Sequence, residues 1–181
     1  MAAIATNLNA ELTVALNWIV QQTVSGLAAP NTVPGQYGFT TTLLFGTGSG
    51  QATNVFFSVA DLLGGTSETL DLYALIAPPS NLNVNFSFAT VLYCVVELIA
   101  NDDGSTMSSG IRIGNAPTNR WDGWLQLGGT FTIDSGGAPF VQGSPSGRAV
   151  TATARNLLIT NLDPVNQATV RVTVYGIQVN P

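Results

Sequence analysis

The chain has 181 residues, of which 45% are apolar and only 8% are charged, and its formal net charge is −5. This length and apolar content suffice for a hydrophobic core, and we expect a single domain over residues 1–181. All five cationic residues are arginines spread through the second half of the chain, so it offers no basic cluster that would bind nucleic acid.

The N-terminal part carries no recognisable targeting signal. MAAIATNLNAEL (1–12) lacks a positive n-region and an unbroken apolar run, so we expect no secretory signal peptide. In LTVALNWIV (12–20) the apolar residues fit a helical stripe, but they also alternate over five positions, and their types favour a strand. We expect residues 1–36 to form an arm or strand that takes part in subunit contacts, with a turn-rich segment at 25–38.

The middle of the chain predicts further strands. FTTTLLF (39–45) precedes a glycine-rich loop, and NVFFSVADL (54–62) and ETLDLYAL (68–75) are predicted to be two strands joined by LGGTS as a short hairpin. The run NFSFATVLYCVVELIAN (85–101) alternates at first and then becomes uniformly apolar, which is typical of a strand buried on both faces.

Two residues in that apolar run have a reactive or ionisable side chain. Cys94 has no other cysteine to pair with, and we expect a buried, inert thiol. Glu97 either faces outward, towards solvent or a subunit contact, or pairs with an arginine. The run from Val91 to Ala100 is about half as long as a membrane-spanning helix, so we expect no membrane partner.

The C-terminal half continues the pattern of short strands. DSGGAPFVQGSPSG (134–147) is flanked by strand-like sequence and not by a helix, so we interpret it as a turn and not as a phosphate-binding loop. About eight to ten strands predict an all-β fold, an antiparallel β-sandwich of jelly-roll type. The predicted strands of this half are GIRIGNA (110–116), WDGWLQL (121–127), TFTID (130–134), PFVQG (139–143), VTATARNLLITNL (150–162) and, after the turn DPVNQ, ATVRVTVYGIQV (168–179).

The side chains needed for most catalysis are missing. The chain has no histidine, no lysine and one cysteine, which excludes a Ser-His-Asp triad, a Walker phosphate loop, a Schiff-base lysine and a zinc site. We therefore expect a protein that is not an enzyme and needs no cofactor or metal. A carboxylate pair is the remaining catalytic option, and its candidates are Asp61, Glu68, Asp71, Glu97, Asp102, Asp103, Asp122, Asp134 and Asp163.

Two further patterns have a functional and a structural interpretation. NDDGST (101–106) resembles part of a calcium loop but lacks the alternating ligands and the closing glutamate, so we prefer a β-turn. Trp121 and Trp124, with Tyr37, are the candidate aromatics for a ligand or subunit interface, for example a platform that stacks on sugars. The alternative is that the tryptophans lie at the edge of the core.

Several stretches together resemble a group of small all-β virion structural proteins of tailed phages and metagenomic viruses. The resemblance covers most of the chain from Phe45 onward, and it implies a role in a capsid or tail. It is carried by FGTGSGQATNVFF, SETLDLYAL, FATVLYCVVELIAN, IRIGNA with the tryptophan-bearing segment, FTIDSGGAPFVQGSP and ATVRVTVYGI.

The sequence thus leads to two hypotheses of different class. The first is a non-enzymatic, self-assembling capsid or decoration subunit of a bacteriophage particle, located in the virion, whose partners are copies of itself and other capsid or tail proteins. This hypothesis rests on a charge-poor surface rich in Ser, Thr and Asn, with strand edges and aromatic residues that subunit contacts would bury. The alternative is a carbohydrate-binding or adhesive β-sandwich of the tail-fibre type.

Overall fold

The computed structural model of the protein describes residues 9–22, 31–45, 47–49, 51–76, 85–101, 104–125 and 127–179, of which the first two ranges and residues 76, 85 and 86 are described by their backbone alone. This part of the chain consists of strands, turns and irregular segments, and it contains no helix. Its strands are β1 (Asn9–Gln22), β2 (Asn31–Phe45), β3 (Gln51–Ala52), β4 (Asn54–Leu62), β5 (Ser67–Asp71), β6 (Leu75–Ile76), β7 (Asn85–Phe86), β8 (Phe88–Ile99), β9 (Gly110–Gly114), β10 (Thr130–Asp134), β11 (Phe140–Ala149), β12 (Asn156–Asn161) and β13 (Ala168–Gln178).

Eight of these strands form two four-stranded antiparallel sheets. The β8 sheet has the order β11-β8-β13-β4, and the β9 sheet has the order β10-β9-β12-β5. The first four of the eight strands pair with the last four in reverse order: β4 with β13, β5 with β12, β8 with β11 and β9 with β10. The prediction of an all-β fold with antiparallel sheets is confirmed for these eight strands.

The N-terminal strands form a separate small sheet. β1 pairs antiparallel with β2 along its whole length, which confirms the strand interpretation of the one ambiguous segment. β2 begins at Asn31, inside the segment predicted to be turn-rich, and Pro34 lies within the ladder opposite Ile19. β2 also pairs with β3 in parallel at Leu44 and Phe45, so antiparallel pairing is not universal.

The two four-stranded sheets share one buried apolar cluster. Phe56 and Val96 enter it from the β8 sheet, and Ile111 and Ile159 enter it from the β9 sheet, each at most 2% exposed. Burying a side chain of this size stabilises the fold by about 1.5–3 kcal/mol. The residues between the sheets therefore supply the main apolar contribution to stability.

Strand β8 is buried on both of its faces, as its sequence predicts. Cys94 and Val96 belong to the cluster between the sheets, whereas Tyr93 and Val95 belong to a second cluster on the other face of the β8 sheet. The register with β13 shifts here, so that Tyr175 lies opposite Tyr93 but Gly176 lies opposite Val91. This irregularity breaks the simple alternation, and the whole run from Val91 to Val96 becomes buried.

The prediction of a hairpin at LGGTS is wrong. β4 lies in the β8 sheet and β5 in the β9 sheet, so the connection passes between sheets. The predicted turn DPVNQ makes a similar passage, from β12 to β13. Alternation along a strand reports which side chains are buried but not which neighbouring strand accepts the hydrogen bonds, so it could not distinguish a hairpin from a passage.

Other strand boundaries also differ from the sequence prediction: the strand predicted over 68–75 ends at Asp71, before a turn. The described residues of WDGWLQL, 121–125 and 127, form turns and irregular backbone and not a strand, and Val150 to Arg155 form a turn that precedes β12. Conversely, much of the segment interpreted as a turn, from Phe140 to Gly147, belongs to edge strand β11. Its register with β8 shifts between Gly143 and Arg148, which accommodates the glycines and Pro145 without ending the strand.

Four of the connections that pass from one sheet to the other, here called passages, lie at one end of the fold: β4–β5, β8–β9, β10–β11 and β12–β13. The β4–β5 and β12–β13 passages are in direct backbone contact. The amide of Gly65 donates a hydrogen bond to the carbonyl of Asp163 at 2.7 Å. A Cβ atom on Gly64 would lie 2.7 Å from the carbonyl of Pro164 and from the amide nitrogen of Val165. Glycine at position 64 therefore allows the two passages to approach each other.

Replacing Gly64 by alanine is expected to lower the free energy of unfolding by about 3 kcal/mol, because the added methyl group meets backbone atoms that have no rotamer to change. Gly65→Ala is the matched control: its Cβ meets nothing within 4 Å, and it carries only the strain of a φ of 68°, about 1–2 kcal/mol. Urea denaturation of both variants measures the difference. Equal losses would show that the contact between the passages is not tight.

Candidate functional site

Polar side chains collect where the passages between the sheets meet. The amide of Asn161 donates hydrogen bonds to the carbonyls of Leu62 and Asn166, at 3.0 and 2.8 Å. Its Oδ1 accepts from the hydroxyl of Ser108 at 2.6 Å and from the backbone amide of Asp163 at 3.0 Å. Asn161 is 1% exposed, so this one side chain links three passages inside the protein.

The Asp163 carboxylate completes this cluster. It accepts hydrogen bonds from the backbone amides of Val165 and Asn166, at 2.9 and 2.8 Å, and from the amide of Ser109 at 3.0 Å. The side-chain amide of Asn166 adds a fourth bond at 3.1 Å. These donors, first the backbone amides of Asn166 and Val165, hold the pKa of Asp163 well below its usual range.

A second group of polar residues extends the cluster. The hydroxyl of Thr169 lies 2.7 Å from Asp61 Oδ1 and 3.0 Å from Asn101 Oδ1, and the amide of Asn101 donates to Ser105 Oγ and to the carbonyl of Thr106. The donors and acceptors satisfy one another. The cluster therefore holds the passages in place, and among the described residues none of its fully buried side-chain atoms lacks a hydrogen-bond partner.

The other candidate carboxylates are spread over the fold. Glu97 forms an ion pair with Arg171 directly across the β8–β13 ladder, at 3.3 Å, which confirms the arginine alternative predicted for it. Asp71 pairs with Arg155, and Asp122 pairs with Arg120. Asp102 and Asp103 lie outside the described residues, and in the described part no group of three or more metal-ligating side chains comes together. That the chain is not an enzyme stays a prediction.

The candidate aromatics do not form one exposed platform. Trp121 is only 4% exposed, and its Nε1 donates to the carbonyl of Ala149 at 2.9 Å. Trp124 is half-buried and packs edge-on against Trp121, with ring centroids 5.5 Å apart and an interplanar angle of 87°. The backbone of Tyr37 lies in β2 opposite Leu16, and its side chain lies outside the described residues. A role for these aromatics at an interface stays a prediction.

Exposed apolar residues lie on the edge strand β4, and the sequence analysis did not single them out. β4 is the last strand of the β8 sheet, and Phe57 and Val59 are 54% and 43% exposed on its outward face, opposite Thr173 and Arg171 of β13. Their neighbours Phe56 and Leu62 are buried. The signal was available in NVFFSVADL, where two adjacent phenylalanines must lie on opposite faces of a strand.

Comparison with protein-family models, with curated proteins and with solved structures finds no match for this chain. In the described residues no helix is long and apolar enough to cross a membrane. The candidate site therefore rests on geometry alone. Its two parts are the polar cluster between the passages and the exposed apolar strip of β4.

Asp163→Asn is expected to destabilise the protein at pH 7, because the new amide group faces backbone donors in place of an acceptor. The folded state lowers the pKa of Asp163, so its stabilisation is complete above about pH 4, the unfolded value, and is lost as the pH falls towards the folded value. The loss caused by Asp163→Asn should therefore shrink from pH 7 to about pH 2.5.

Denaturant titration at several pH values measures this change, with Asp134→Asn as the control because Asp134 is exposed at the end of β10. A loss of stability that is the same at every pH would contradict the assigned hydrogen bonds.

Cys94 is expected to resist alkylation in the folded protein. It is buried between the sheets, and burial raises the pKa of its thiol to about 12, so almost no thiolate is present near neutral pH. Mass spectrometry after iodoacetamide treatment should show an unmodified protein under native conditions and one adduct in denaturant. Rapid native modification would mean that the strand opens or that the thiol is accessible.

Proposed function

We propose that the two four-stranded sheets form a β-sandwich of jelly-roll type. The reverse-order pairing of the first four strands with the last four supports this proposal, since it is the order that a long antiparallel ribbon adopts when it wraps around one core. The sheet orders match position by position, β4 with β5, β13 with β12, β8 with β9 and β11 with β10. All eight strands contribute residues to the shared apolar cluster.

On this fold we propose a non-enzymatic, self-assembling structural subunit of a bacteriophage particle, in the capsid or as a decoration. The observation that carries the proposal is the strand order, because double-sheet jelly rolls of eight strands recur in viral capsid domains. Fold does not determine function, and lectin domains use the same architecture. The surface of the protein supplies the further support for the structural class.

The surface favours contact with other proteins. Charged residues make up 8% of the chain against about 25% in ordinary soluble domains, so copies repel one another weakly. The strip formed by Phe57 and Val59 lies on an edge strand, where exposed apolar residues mark a place for association. We infer that subunit contacts cover this strip and that the virion is the protein's location.

The carbohydrate-binding alternative depends on the half-buried Trp124, since Trp121 is committed to the core. A glycan array with the wild type and with Trp124→Ala distinguishes the two functions. Binding that Trp124→Ala removes would favour the adhesive module, whereas the structural subunit predicts no glycan signal that depends on this ring.

Electron microscopy and light scattering of the purified protein test the structural role. The proposal predicts multi-subunit assemblies, or attachment to phage particles, that grow with protein concentration. A monomer that persists at high concentration and binds no particle would contradict it.

Phe57→Lys is expected to reduce self-association, because it places a hydrated charge on the apolar strip while the residue is already half exposed and contributes little to the core. The matched control is Leu127→Lys, at a loop residue that is 85% exposed and lies away from β4 in the chain. Sedimentation velocity should show smaller assemblies for Phe57→Lys than for the wild type, and unchanged assemblies for Leu127→Lys. An equal effect of both substitutions would mean that net charge, and not the strip, governs association.

A further inference from the structure

The two four-stranded sheets have four edge strands, and three of them carry features that hinder pairing with another strand. Proteins protect their sheet edges with short strands, charges, prolines and bulges. β5 and β10 have only five residues each, and each ends on an aspartate, Asp71 and Asp134. β11 contains Pro145, and its register with β8 shifts. These three edges are poor templates for a further strand.

The fourth edge strand, β4, lacks these features. It has nine residues, Asn54–Leu62, with neither proline nor glycine, and its register with β13 runs without a shift. Asp61 is its only charged residue, and Oδ1 of this carboxylate accepts a hydrogen bond from the hydroxyl of Thr169 on β13, at 2.7 Å. In the described part of the chain, β13 is the only strand that pairs with β4. The side of β4 away from β13 is therefore an open edge.

The hydrogen bonds of β13 show which backbone groups of β4 point to this open edge. The amide of Val179, directly after β13, donates to the carbonyl of Ser87 on the β8 side, whereas the amide of Gln178 donates to Thr53 Oγ1 on the β4 side, both at 2.7 Å. Directions alternate along a strand, so the even-numbered residues of β13 point to β4. The ladder pairs these with the even-numbered residues of β4. The odd-numbered residues of β4 therefore point their N–H and C=O groups to the open edge.

Two observations agree with this direction. The amide of Val55, an odd-numbered residue, donates to Oδ1 of the preceding side chain, Asn54, at 2.9 Å, as an edge group without a strand partner would. Phe57 and Val59 are exposed, and no residue from Phe57 to Asp61 is buried. The open edge thus presents backbone donors and acceptors beside exposed apolar side chains.

We propose that β4 pairs antiparallel with β4 of a second copy of this chain, so that the two β8 sheets join into one continuous sheet. The inference rests on the proposed self-assembling function and names the strand and the register that join two subunits. A two-fold axis at Ser58, the middle of the strand, pairs all nine residues of one copy with all nine of the other. A contact about such an axis closes on itself.

The identical edges complement each other in this register, which is the argument for a second copy as the occupant. Phe57 of each copy lies opposite Val59 of the partner subunit, and the two residues exchange both backbone hydrogen bonds. An aromatic residue opposite a β-branched one is a favourable cross-strand pair. The two Asp61 residues lie at opposite ends of the ladder, about 20 Å apart, where salt screens their repulsion. Sliding the strands by two residues in either direction leaves two residues of each β4 unpaired.

The first experiment places a cysteine on the proposed two-fold axis of the full chain, Ser58→Cys. The backbone groups of Ser58 point to β13, so the two copies of this residue form a non-hydrogen-bonded pair with Cα atoms about 4.5 Å apart, which a disulfide can bridge. Mild oxidation should convert most of the protein to a disulfide-linked dimer, seen by non-reducing electrophoresis. The matched control is Ser146→Cys on the opposite edge strand β11, which is more exposed and should give no such dimer. The native Cys94 is buried and does not compete.

The second experiment distinguishes strand pairing from a contact of apolar side chains alone. Val59→Pro removes an N–H that points to the open edge and spares the hydrogen bonds to β13, so it should weaken dimerisation at least about a hundredfold, measured by sedimentation equilibrium. Val59→Thr keeps the N–H and the β-branched shape, and it should weaken dimerisation less than about tenfold. Circular dichroism checks that both variants keep the folded sheets.

The outcomes separate the two proposals. Assemblies of the wild type, with no more disulfide-linked dimer from Ser58→Cys than from Ser146→Cys, overturn the pairing of two β4 strands and leave the structural function standing. If Val59→Pro then also loses attachment to particles, the open edge binds a strand of another protein. Dimers joined through Ser58→Cys that neither enlarge nor bind a particle contradict the virion role and leave the strand pairing standing. A wild-type protein that stays monomeric and binds no particle overturns both.

Discussion

The buried amide of Asn161 is the constraint on which the arrangement of the sheets depends. Its carboxamide bonds three stretches of chain that pass between the sheets, through the carbonyl of Leu62, the hydroxyl of Ser108 and the backbone of Asp163. Each of these groups is far from water, and a buried polar group without a partner costs about 1–3 kcal/mol. The arrangement that brings all three passages to Asn161 satisfies them together. This convergence ties the β4–β5, β8–β9 and β12–β13 connections to one another at one end of the two sheets.

The same geometry explains where function can reside. The polar groups around Asn161 and Asp163 form hydrogen bonds within the protein. Cys94 is enclosed between the sheets, and Glu97 is paired with Arg171. What remains for interaction is surface, and the exposed strip at Phe57 and Val59 is part of it. The strip is apolar and lies on the edge strand β4, whose free edge can extend a strand ladder. Surfaces of this kind suit extended contacts with other proteins better than recognition of a small ligand.

Parts of the candidate site could be anticipated from single residues and their neighbours. An acidic residue in an apolar strand has few options, so the pairing of Glu97 with an arginine was among those predicted. The burial of Cys94 followed from the apolar run around it. Asp163 was only one carboxylate among several. The donors that lower its pKa most, the backbone amides of Asn166 and Val165, are local to the predicted turn DPVNQ, whereas the amide of Ser109 lies more than fifty residues away, and no local pattern identifies that partner.

The sequence by itself determined that the described chain consists of strands, because alternation with a period of two is a property of each segment and needs no knowledge of its neighbours. It also located β4, β9, β10 and β13 closely and predicted the double-sided burial of β8. Only the tertiary structure decided that LGGTS passes between sheets and that WDGWLQL is not a strand. Alternation specifies which face of a strand is buried, whereas the choice of neighbouring strand depends on hydrogen bonds and packing between residues that are distant along the chain.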